Sequence, residues 1–199
     1  MINIIHIGET DSTNDEAKRR LRAGEALLGY VITAGMQTSG RGRFGKSFWS
    51  PGGDSVYASF IIDLPENLAE QRITIYAAVA VCLALEKTTM YRPGIRGVND
   101  LIVDKRKICG ILAESVPGAV VLGIGVNINL DIDCFPEELR EEAGSLNMEK
   151  ETRARFFDAL VEEVFRCMAI AENTDSPEAA SLMDEYKARS APAEKPAEA

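Results

Sequence analysis

The residues best suited to chemistry form a segment rich in glycine and arginine, here called the strap: residues 40–51, Gly-Arg-Gly-Arg-Phe-Gly-Lys-Ser-Phe-Trp-Ser-Pro. Glycines let backbone N–H groups converge on an anion without obstruction by Cβ atoms. Arginine guanidinium groups donate in pairs to a carboxylate or a phosphate, and Phe48 and Trp49 offer flat apolar surface for a ring system. A mobile basic loop without a ligand is the alternative, and the spacing is not that of a P-loop. The strap therefore predicts an anion-binding loop.

A lysine and an aspartate on neighbouring segments extend this chemistry. Lys107 opens an alternating apolar run, and Gly110 leaves room for a group that lies against the sheet. An ammonium group held there neutralises the charge that builds up when a carboxylate attacks a phosphate. Asp100 follows Asn99, and an aspartate beside a triphosphate commonly holds Mg²⁺. Taken separately, a solvent-facing strand lysine and an Asn-Asp turn are the simpler interpretations.

Two polar segments complete the candidate set. Residues 11–14, Asp-Ser-Thr-Asn, offer hydroxyl and amide groups to a polar ring. The alternative is a capping box, because Thr13 is followed three residues later by Glu16. Residues 123–129, Gly-Ile-Gly-Val-Asn-Ile-Asn, allow close backbone approach to a base edge, whereas a glycine pair in a sheet without a ligand is the plainer alternative.

Composition narrows the remaining functions. The 199 residues suffice for one domain, and 46% hydrophobic with 27% charged residues is typical of a globular protein. A net charge of −9 argues against nucleic-acid binding. The four cysteines, at 82, 109, 134 and 167, include no C-x-x-C pair, and His6 is the single histidine, so a zinc or redox site is not expected. We expect each cysteine to be a small buried apolar residue. Neither a signal peptide nor an apolar run of membrane-spanning length is seen, so a cytoplasmic protein that does not contact membranes is expected.

The hydrophobic pattern predicts an α+β fold, with a mixed, largely antiparallel sheet backed by helices. The predicted strands are residues 2–7, 30–36, 55–62, 95–103, 107–116 and 119–129, and the predicted helices are 13–24, 66–89, 156–168 and 177–189. Residues 37–54 carry five glycines, three cationic residues and one proline, which predicts a long functional loop. We expect one domain over residues 1–189 and a disordered tail over 190–199.

In their order and spacing, these motifs resemble the biotin–protein ligase family from Asp11 to Asn129, with weaker similarity to about Arg189. The most specific signature is G-R-G-R-x-G-K/R, then an aromatic pair, then S-P. The resemblance implies the biotin/lipoate ligase-like catalytic fold. It also implies an ATP-dependent ligase that forms biotinyl-5′-AMP and transfers biotin to a lysine of a biotin carboxyl carrier protein domain of a biotin-dependent carboxylase. ATP and Mg²⁺ are the expected cofactors.

The resemblance also assigns residues. Lys107 and Arg43 are the expected catalytic residues, with Arg43 near the phosphate and Lys107 bridging the biotin carboxylate and the α-phosphate. The expected biotin-binding residues are Ser12, Thr13, Asn14, Gln37, Gly40, Arg41, Gly42, Arg43, Lys107 and Gly110. The expected ATP and adenine contacts are Arg43, Phe48 and Asn127, and Asp100 is the expected Mg²⁺ ligand.

The chain departs from the family in three respects. The family motif K-W-P-N-D is Arg-Gly-Val-Asn-Asp here, at residues 96–100, so Gly97 replaces a tryptophan and Val98 a proline. The loss of this apolar wall implies a larger pocket, a different ligand or a lower activity. The signature begins at residue 11, which leaves no room for an N-terminal winged helix, so we expect no DNA binding. A C-terminal β-barrel domain is not expected either. Family members often pair through their sheets, so a homodimer is compatible with the residues without being required by them.

Three alternatives stay open at the level of sequence. One is a ligase of the same fold acting on lipoate or another acyl acid, against which the strap argues. Another is an octanoyl-type transferase that uses Cys109 and no ATP, and dependence on ATP separates it from a ligase. The last is a degenerate biotin-binding homologue, suggested by Gly97.

Overall fold

A seven-stranded sheet forms the centre of the molecule. The computed structural model describes residues 2–63 and 70–190. The strands are β1 (Asn3–Thr10), β2 (Tyr30–Gln37), β3 (Val56–Ile62), β4 (Gly94–Arg96), β5 (Asp100–Val103), β6 (Arg106–Val116) and β7 (Ala119–Val126). Their order is β1-β2-β3-β7-β6-β5-β4. Only β1 and β2 pair in parallel among these strands. The prediction of a mixed, largely antiparallel sheet is confirmed.

Among the described residues, four α-helices cover the sheet unequally. They are α1 (Thr13–Ala23), α2 (Glu70–Thr88), α3 (Lys150–Ala171) and α4 (Pro177–Arg189). The main core packs α2, α3 and α4 against one face, with fully buried side chains such as Phe60 and Phe156. A smaller core packs α1 against the other face through Ala17, Ile32 and Ile61. Neighbouring strand residues serve opposite cores, as period-two alternation requires. The face that carries α1 is therefore less covered by helices and has room for a site.

The predicted boundaries fail where turns or long-range contacts override local pattern. The expected single strand over residues 95–103 is wrong, because β4 and β5 form a hairpin. The reversal occurs at Gly97, whose φ of 65° suits glycine. The expected strand over 119–129 ends at Val126, and the predicted helix over 156–168 extends to the whole of α3. The predicted helix over 66–89 is observed as α2, and its residues 66–69 lie outside the described residues.

The predicted capping box at the start of α1 is also wrong. Ser12 is the N-cap and its side chain makes no capping hydrogen bond. The backbone N–H of Thr13 instead donates to Gln37 Oε1 at 2.8 Å. Glu16 does not reach back, because its carboxylate accepts hydrogen bonds from Arg19 and Arg20 on the same helix. A side chain of β2 thus replaces the local cap and fixes α1 to the sheet.

The predicted tail does not begin at Ser190. Ser190 forms a parallel bridge with Ile95 and its backbone N–H donates to Tyr186 O at 2.9 Å. Residues 191–199 lie outside the described residues. Within the described ranges, no helix combines the length and apolar character that crossing a bilayer demands.

Candidate active site

A cavity of about 350 Å³ opens on the α1 face of the sheet, between that helix, the strap and the segment after β7. This volume lies in the range of small-molecule sites. Gly123 and Gly125 alternate along β7, Asn127 continues the alternation just after its end, and all three line the cavity. At about 3.3 Å per residue, these positions define a floor roughly 13 Å long. The floor has a polar end, a middle covered by a ring and a far end.

The structure brings nearly all predicted site residues to this one cavity. Twelve of the thirteen line it: Ser12, Thr13, Asn14, Gln37, Arg41, Gly42, Arg43, Phe48, Asp100, Lys107, Gly110 and Asn127. Gly40 does not line it. A Cβ at Gly40 would lie 2.2 Å from Phe48 O and 2.7 Å from Ser50 Oγ. The glycine is therefore needed where the strap packs against itself, and a direct ligand contact from Gly40 is not supported.

The polar end is a buried network of amides and hydroxyls around α1. Thr13 Oγ1 lies 3.1 Å from Gln37 Oε1, and Gln37 Nε2 donates to Ser50 Oγ at 2.7 Å. Asn14 Nδ2 donates to Glu114 Oε2 at 2.8 Å. Thr13 and Asn14 are only 4% and 3% exposed. Such fixed polar groups in a small pocket recognise a ligand by the directions of its hydrogen bonds.

The middle of the floor is a pair of glycines beneath an aromatic ring. Gly110 and Gly125 are cross-strand partners on β6 and β7. A Cβ would lie 2.9 Å from the Phe48 ring at Gly110 and 2.5 Å from it at Gly125. The group that uses the space above Gly110 is therefore Phe48 itself, which stands edge-on to Tyr57 at a centroid distance of 6.5 Å. Burial raises the pKa of the Tyr57 hydroxyl to about 12, so this wall is uncharged.

Positive charge collects beside the ring. Lys107 Nζ lies 5.9 Å from the Phe48 ring centroid and 2.7 Å from Asp100 Oδ1. Arg43 donates to Asn99 Oδ1 at 3.1 Å. Five cationic and two anionic side chains line the cavity although the chain carries a net charge of −9. The cavity is thus suited to an anionic ligand.

Arg41 is in a different electrostatic state from Arg43. Its guanidinium contacts Asp15 at 2.8 Å and Glu114 at 3.1 Å. The hydrogen bond to Asp15, with the charge of Glu114, raises the pKa of Arg41. Protein carboxylates thus already compensate its charge. We infer that Arg41 fastens the strap to α1 and β6, and that Arg43 is the strap arginine available to a bound anion.

The far end of the floor is closed by residues that no sequence motif predicted. Phe135, Leu139, Glu142 and Ala143 line the cavity, and the Phe135 ring lies 5.0 Å from that of Trp49. Backbone pairing fixes this segment to β6, since Lys107 N–H donates to Glu142 O at 2.7 Å. No periodic pattern marks it, so only these long-range contacts identify it as a wall of the site.

Asn127 carries the one buried side-chain oxygen or nitrogen that has no hydrogen-bond partner among the described residues. Its Nδ2 donates to Gly144 O at 2.9 Å, whereas its Oδ1 has no donor. An unpaired buried acceptor costs about 1–3 kcal/mol. Because Asn127 lines the cavity and is 4% exposed, a ligand N–H group at the far end would satisfy it.

The residues present do not fit a protein-held Mg²⁺. The Asp100 carboxylate contacts Lys107 at 2.7 Å and Arg96 at 3.5 Å, so two cations already compensate it. Over residues 2–63 and 70–190, no group of three or more His, Cys, Asp or Glu side chains is arranged to hold a metal. Asp100 is better described as the group that positions Lys107.

The cysteines exclude a thiol mechanism at this site. Cys109 is fully buried in the core on the opposite face of the sheet, and burial raises its pKa well above the usual value. It cannot supply a thiolate to the cavity. Cys82 and Cys167 are also buried, as expected, but Cys134 is exposed, so that prediction was wrong for Cys134. Its short 3₁₀ helix lies on the surface beyond the sheet.

Gly97 does not line the cavity, although its neighbours Arg96 and Asn99 do. Its carbonyl accepts a 2.7 Å hydrogen bond from the Tyr186 hydroxyl of α4. Gly97 thus contacts α4, whereas Arg96 and Asn99 on either side of it line the cavity.

Comparison with known proteins shows the family of this chain. Residues 8–131 match the family model described as the biotin/lipoate A/B protein ligase family. The chain belongs to that family. The matched range includes the strap, Lys107 and Asn127, and with them every predicted site residue. The far wall of the cavity, from Phe135 to Ala143, lies beyond the match.

Curated relatives and a solved structure give the same result. The bifunctional ligase/repressor BirA of Bacillus spizizenii is 33% identical over 143 residues, which is 68% of this chain and 44% of BirA. The biotin–[acetyl-CoA-carboxylase] ligase of Mycobacterium tuberculosis is 31% identical over 146 residues, 70% of this chain and 53% of that protein. The chain thus spans about half the length of these relatives. A biotin protein ligase from Aquifex aeolicus, solved with biotin and ATP, aligns with a TM-score of 0.70 and 26% identity over 83% of this chain and 72% of that one.

Proposed function

We propose that this chain activates biotin with ATP and transfers the biotinyl group to a lysine of a biotin carboxyl carrier domain. The observation that carries the proposal is that Arg43 and Lys107, on separate elements, line one cavity between a polar end and an unpaired Asn127 acceptor. The Aquifex protein of the same fold was solved with biotin and ATP, and the Mycobacterium relative is named as a ligase for acetyl-CoA carboxylase.

The floor divides naturally between two ligands. The polar end around Thr13 and Gln37 suits the cyclic urea of biotin, which offers both N–H groups and a carbonyl. The far end, with Asn127 and the apolar Phe135 and Leu139, suits an adenine ring. In this arrangement the biotin carboxylate and the α-phosphate meet beside the Phe48 ring, near Lys107.

The first step joins two anions, so the site must reduce their repulsion. A carboxylate oxygen of biotin attacks the α-phosphorus of ATP, the bond to the β-phosphate oxygen breaks, and pyrophosphate leaves. Lys107 and Arg43 place positive charge beside the developing negative charge, and Asp100 keeps the Lys107 ammonium in place through its 2.7 Å contact. Mg²⁺ would come bound to the triphosphate, since Asp100 is already paired.

The second step breaks the mixed anhydride. The neutral amine of a carrier lysine attacks the acyl carbon, AMP leaves with the electron pair of the cleaved C–O bond, and the amine gives up a proton. The cavity offers no histidine as a base, because His6 does not line it. Orientation of the two reactants and exclusion of water by the strap are therefore the main sources of rate.

Incubation with MgATP and labelled biotin, with and without a biotin carboxyl carrier domain, tests the proposal. We expect an acid-labile biotinyl-AMP without the carrier and stable label on the carrier when it is added. Lys107→Ala should abolish both products, whereas Lys105→Asn, two residues away in the exposed turn, should keep them. If the wild-type chain forms no adenylate and transfers no label, the proposal is wrong.

A further inference from the structure

A continuous hydrogen-bonded chain of side chains runs behind the polar end of the cavity. Its members are Glu114, Asn14, Ser59, Thr13, Gln37 and Ser50, in that order. Ser59 is the member that belongs to none of the predicted motifs. It is fully buried on β3 and does not line the cavity, so any role in recognition must act through its neighbours.

The two ends of the chain fix the direction of its hydrogen bonds. At one end, Asn14 Nδ2 donates to the Glu114 carboxylate, so the Asn14 oxygen must face Ser59. At the other end, Ser50 donates to Phe48 O, so Ser50 Oγ accepts the Gln37 amide N–H. Gln37 Oε1 then faces Thr13 and accepts the Thr13 backbone N–H at 2.8 Å. Neither amide can be reversed without placing two donors or two acceptors in contact.

Between these ends there are fewer hydroxyl protons than contacts. Ser59 Oγ lies 2.6 Å from Asn14 Oδ1 and 2.8 Å from Thr13 Oγ1, and Thr13 Oγ1 lies 3.1 Å from Gln37 Oε1. Three oxygen–oxygen contacts thus share two protons. The amide oxygen of Asn14 carries no proton, so it takes the proton of Ser59. The 2.8 Å contact then takes the Thr13 proton, since shorter O–H···O contacts are the stronger ones.

This count leaves Thr13 Oγ1 and Gln37 Oε1 facing each other without a proton between them. Both oxygens belong to residues that line the cavity. The Thr13 backbone N–H satisfies one lone pair of Gln37 Oε1, but the remaining lone pairs of the two oxygens repel each other unless a further donor lies between them, and within the cavity that donor must come from the ligand. The pair is therefore complementary to a donor such as an N–H group, and not to an acceptor such as a carbonyl oxygen.

We propose that Ser59 is a positioning residue for ligand specificity: by accepting the Thr13 proton it keeps Thr13 and Gln37 as an acceptor pair for a ring N–H of the bound acid. The proposal rests on the proposed function, because that function makes the N–H one of the two in the cyclic urea of biotin. Removing the Ser59 hydroxyl frees the Thr13 proton to turn toward Gln37 Oε1, so the acceptor pair is filled from within the protein.

Binding calorimetry on the intact chain tests this without relying on turnover. The probes are biotin and its two isomers methylated at one ureido nitrogen. In the wild-type chain, the isomer methylated at the nitrogen that faces Thr13 should bind at least tenfold more weakly than biotin. In Ser59→Ala, the affinity for biotin should fall about tenfold, whereas the affinity for that isomer should change little. The ratio of the two affinities should therefore approach one.

Matched variants separate this effect from loss of folding. Ser55→Ala removes another buried serine hydroxyl, which contacts the backbone of Ile128 and is not part of the hydrogen-bonded series of side chains. This variant should keep the wild-type ratio of the two affinities. Ser59→Cys replaces the hydroxyl with a slightly larger thiol, which is a weaker hydrogen-bond donor and acceptor. This variant should give an intermediate ratio of affinities even if Ser59→Ala fails to fold. An unchanged ratio in Ser59→Ala or Ser59→Cys overturns the inference. A wild-type chain that binds no biotin overturns the proposed function instead.

Discussion

Replacing Gly125 with alanine should displace the Phe48 ring and so weaken adenylate formation. The added Cβ would lie 2.5, 2.7 and 3.2 Å from three ring carbons of Phe48. Carbon atoms pack at about 3.5 Å or more, so the ring edge must withdraw by roughly 1 Å. The backbone of Phe48 cannot move with the ring, because its N–H donates to Gly40 O at 2.8 Å and Gly40 is itself tightly packed.

The cost follows from this confinement. Overpacking of a fitted site typically costs about 1–3 kcal/mol, and about 1.4 kcal/mol corresponds to a factor of ten. We therefore expect kcat/KM for biotinyl-AMP formation to fall roughly ten- to hundredfold in Gly125→Ala. Gly110→Ala should cost less, because its Cβ would lie 2.9 Å from the ring. Gly8→Ala is the matched control, since a Cβ there has no heavy atom within 4 Å.

A double-mutant cycle with Phe48→Ala identifies the cause. If the ring is what the new methyl group strikes, Gly125→Ala should cost almost nothing in the Phe48→Ala background. Measuring pyrophosphate release for all four forms gives the coupling directly. An equal penalty with and without the ring would contradict this explanation, because the methyl group would then obstruct the ligand and not Phe48.

Four further predictions concern individual side chains. Lys107→Ala should lower kcat for adenylate formation by about 10²–10³-fold, as measured by pyrophosphate release, and a near-normal rate would contradict its role. Asn127→Ala should raise KM for ATP by about five- to tenfold and leave KM for biotin unchanged, because a donor from the base loses its acceptor; equal changes in both constants would contradict this. In the native protein at pH 8, only Cys134 of the four cysteines should react with a thiol reagent, and fast labelling of a second thiol would contradict the described burial. Burial raises the pKa of Cys82 and Cys167 to about 12, so their contribution to stability should be complete below about pH 8.5 and decline as pH rises toward 12 in thermal unfolding experiments.

Most of the fold could be predicted because its signals are local. The β-branched runs of β2 and β3 alternate with polar turns, and the serine and proline at the start of α4 mark its first turn. The strap was predicted from glycine and arginine alone, since few local structures tolerate such a composition. Its backbone pairing, such as the Arg41–Ser47 bridge, is a consequence that composition does not specify.

The rest of the site depends on contacts between residues distant in the sequence. The wall from Phe135 to Ala143 is placed by backbone hydrogen bonds to β6, which no local pattern encodes. The capping box failed because Gln37, 24 residues away, occupies the Thr13 N–H. Ser59 was missed for the same reason, although one sign was visible: it is a polar residue at a buried position within an otherwise apolar strand.

Arg43 and Lys107 are proposed to act on one activated acid in a single cavity. Biotin-dependent exchange of labelled pyrophosphate into ATP measures this most directly, because it requires reversible adenylate formation and no carrier protein. The intact chain should catalyse exchange only when biotin is present, and Lys107→Ala and Arg43→Ala should each abolish most of it. Exchange that is absent from the intact chain, or that persists unchanged in both variants, would contradict the account.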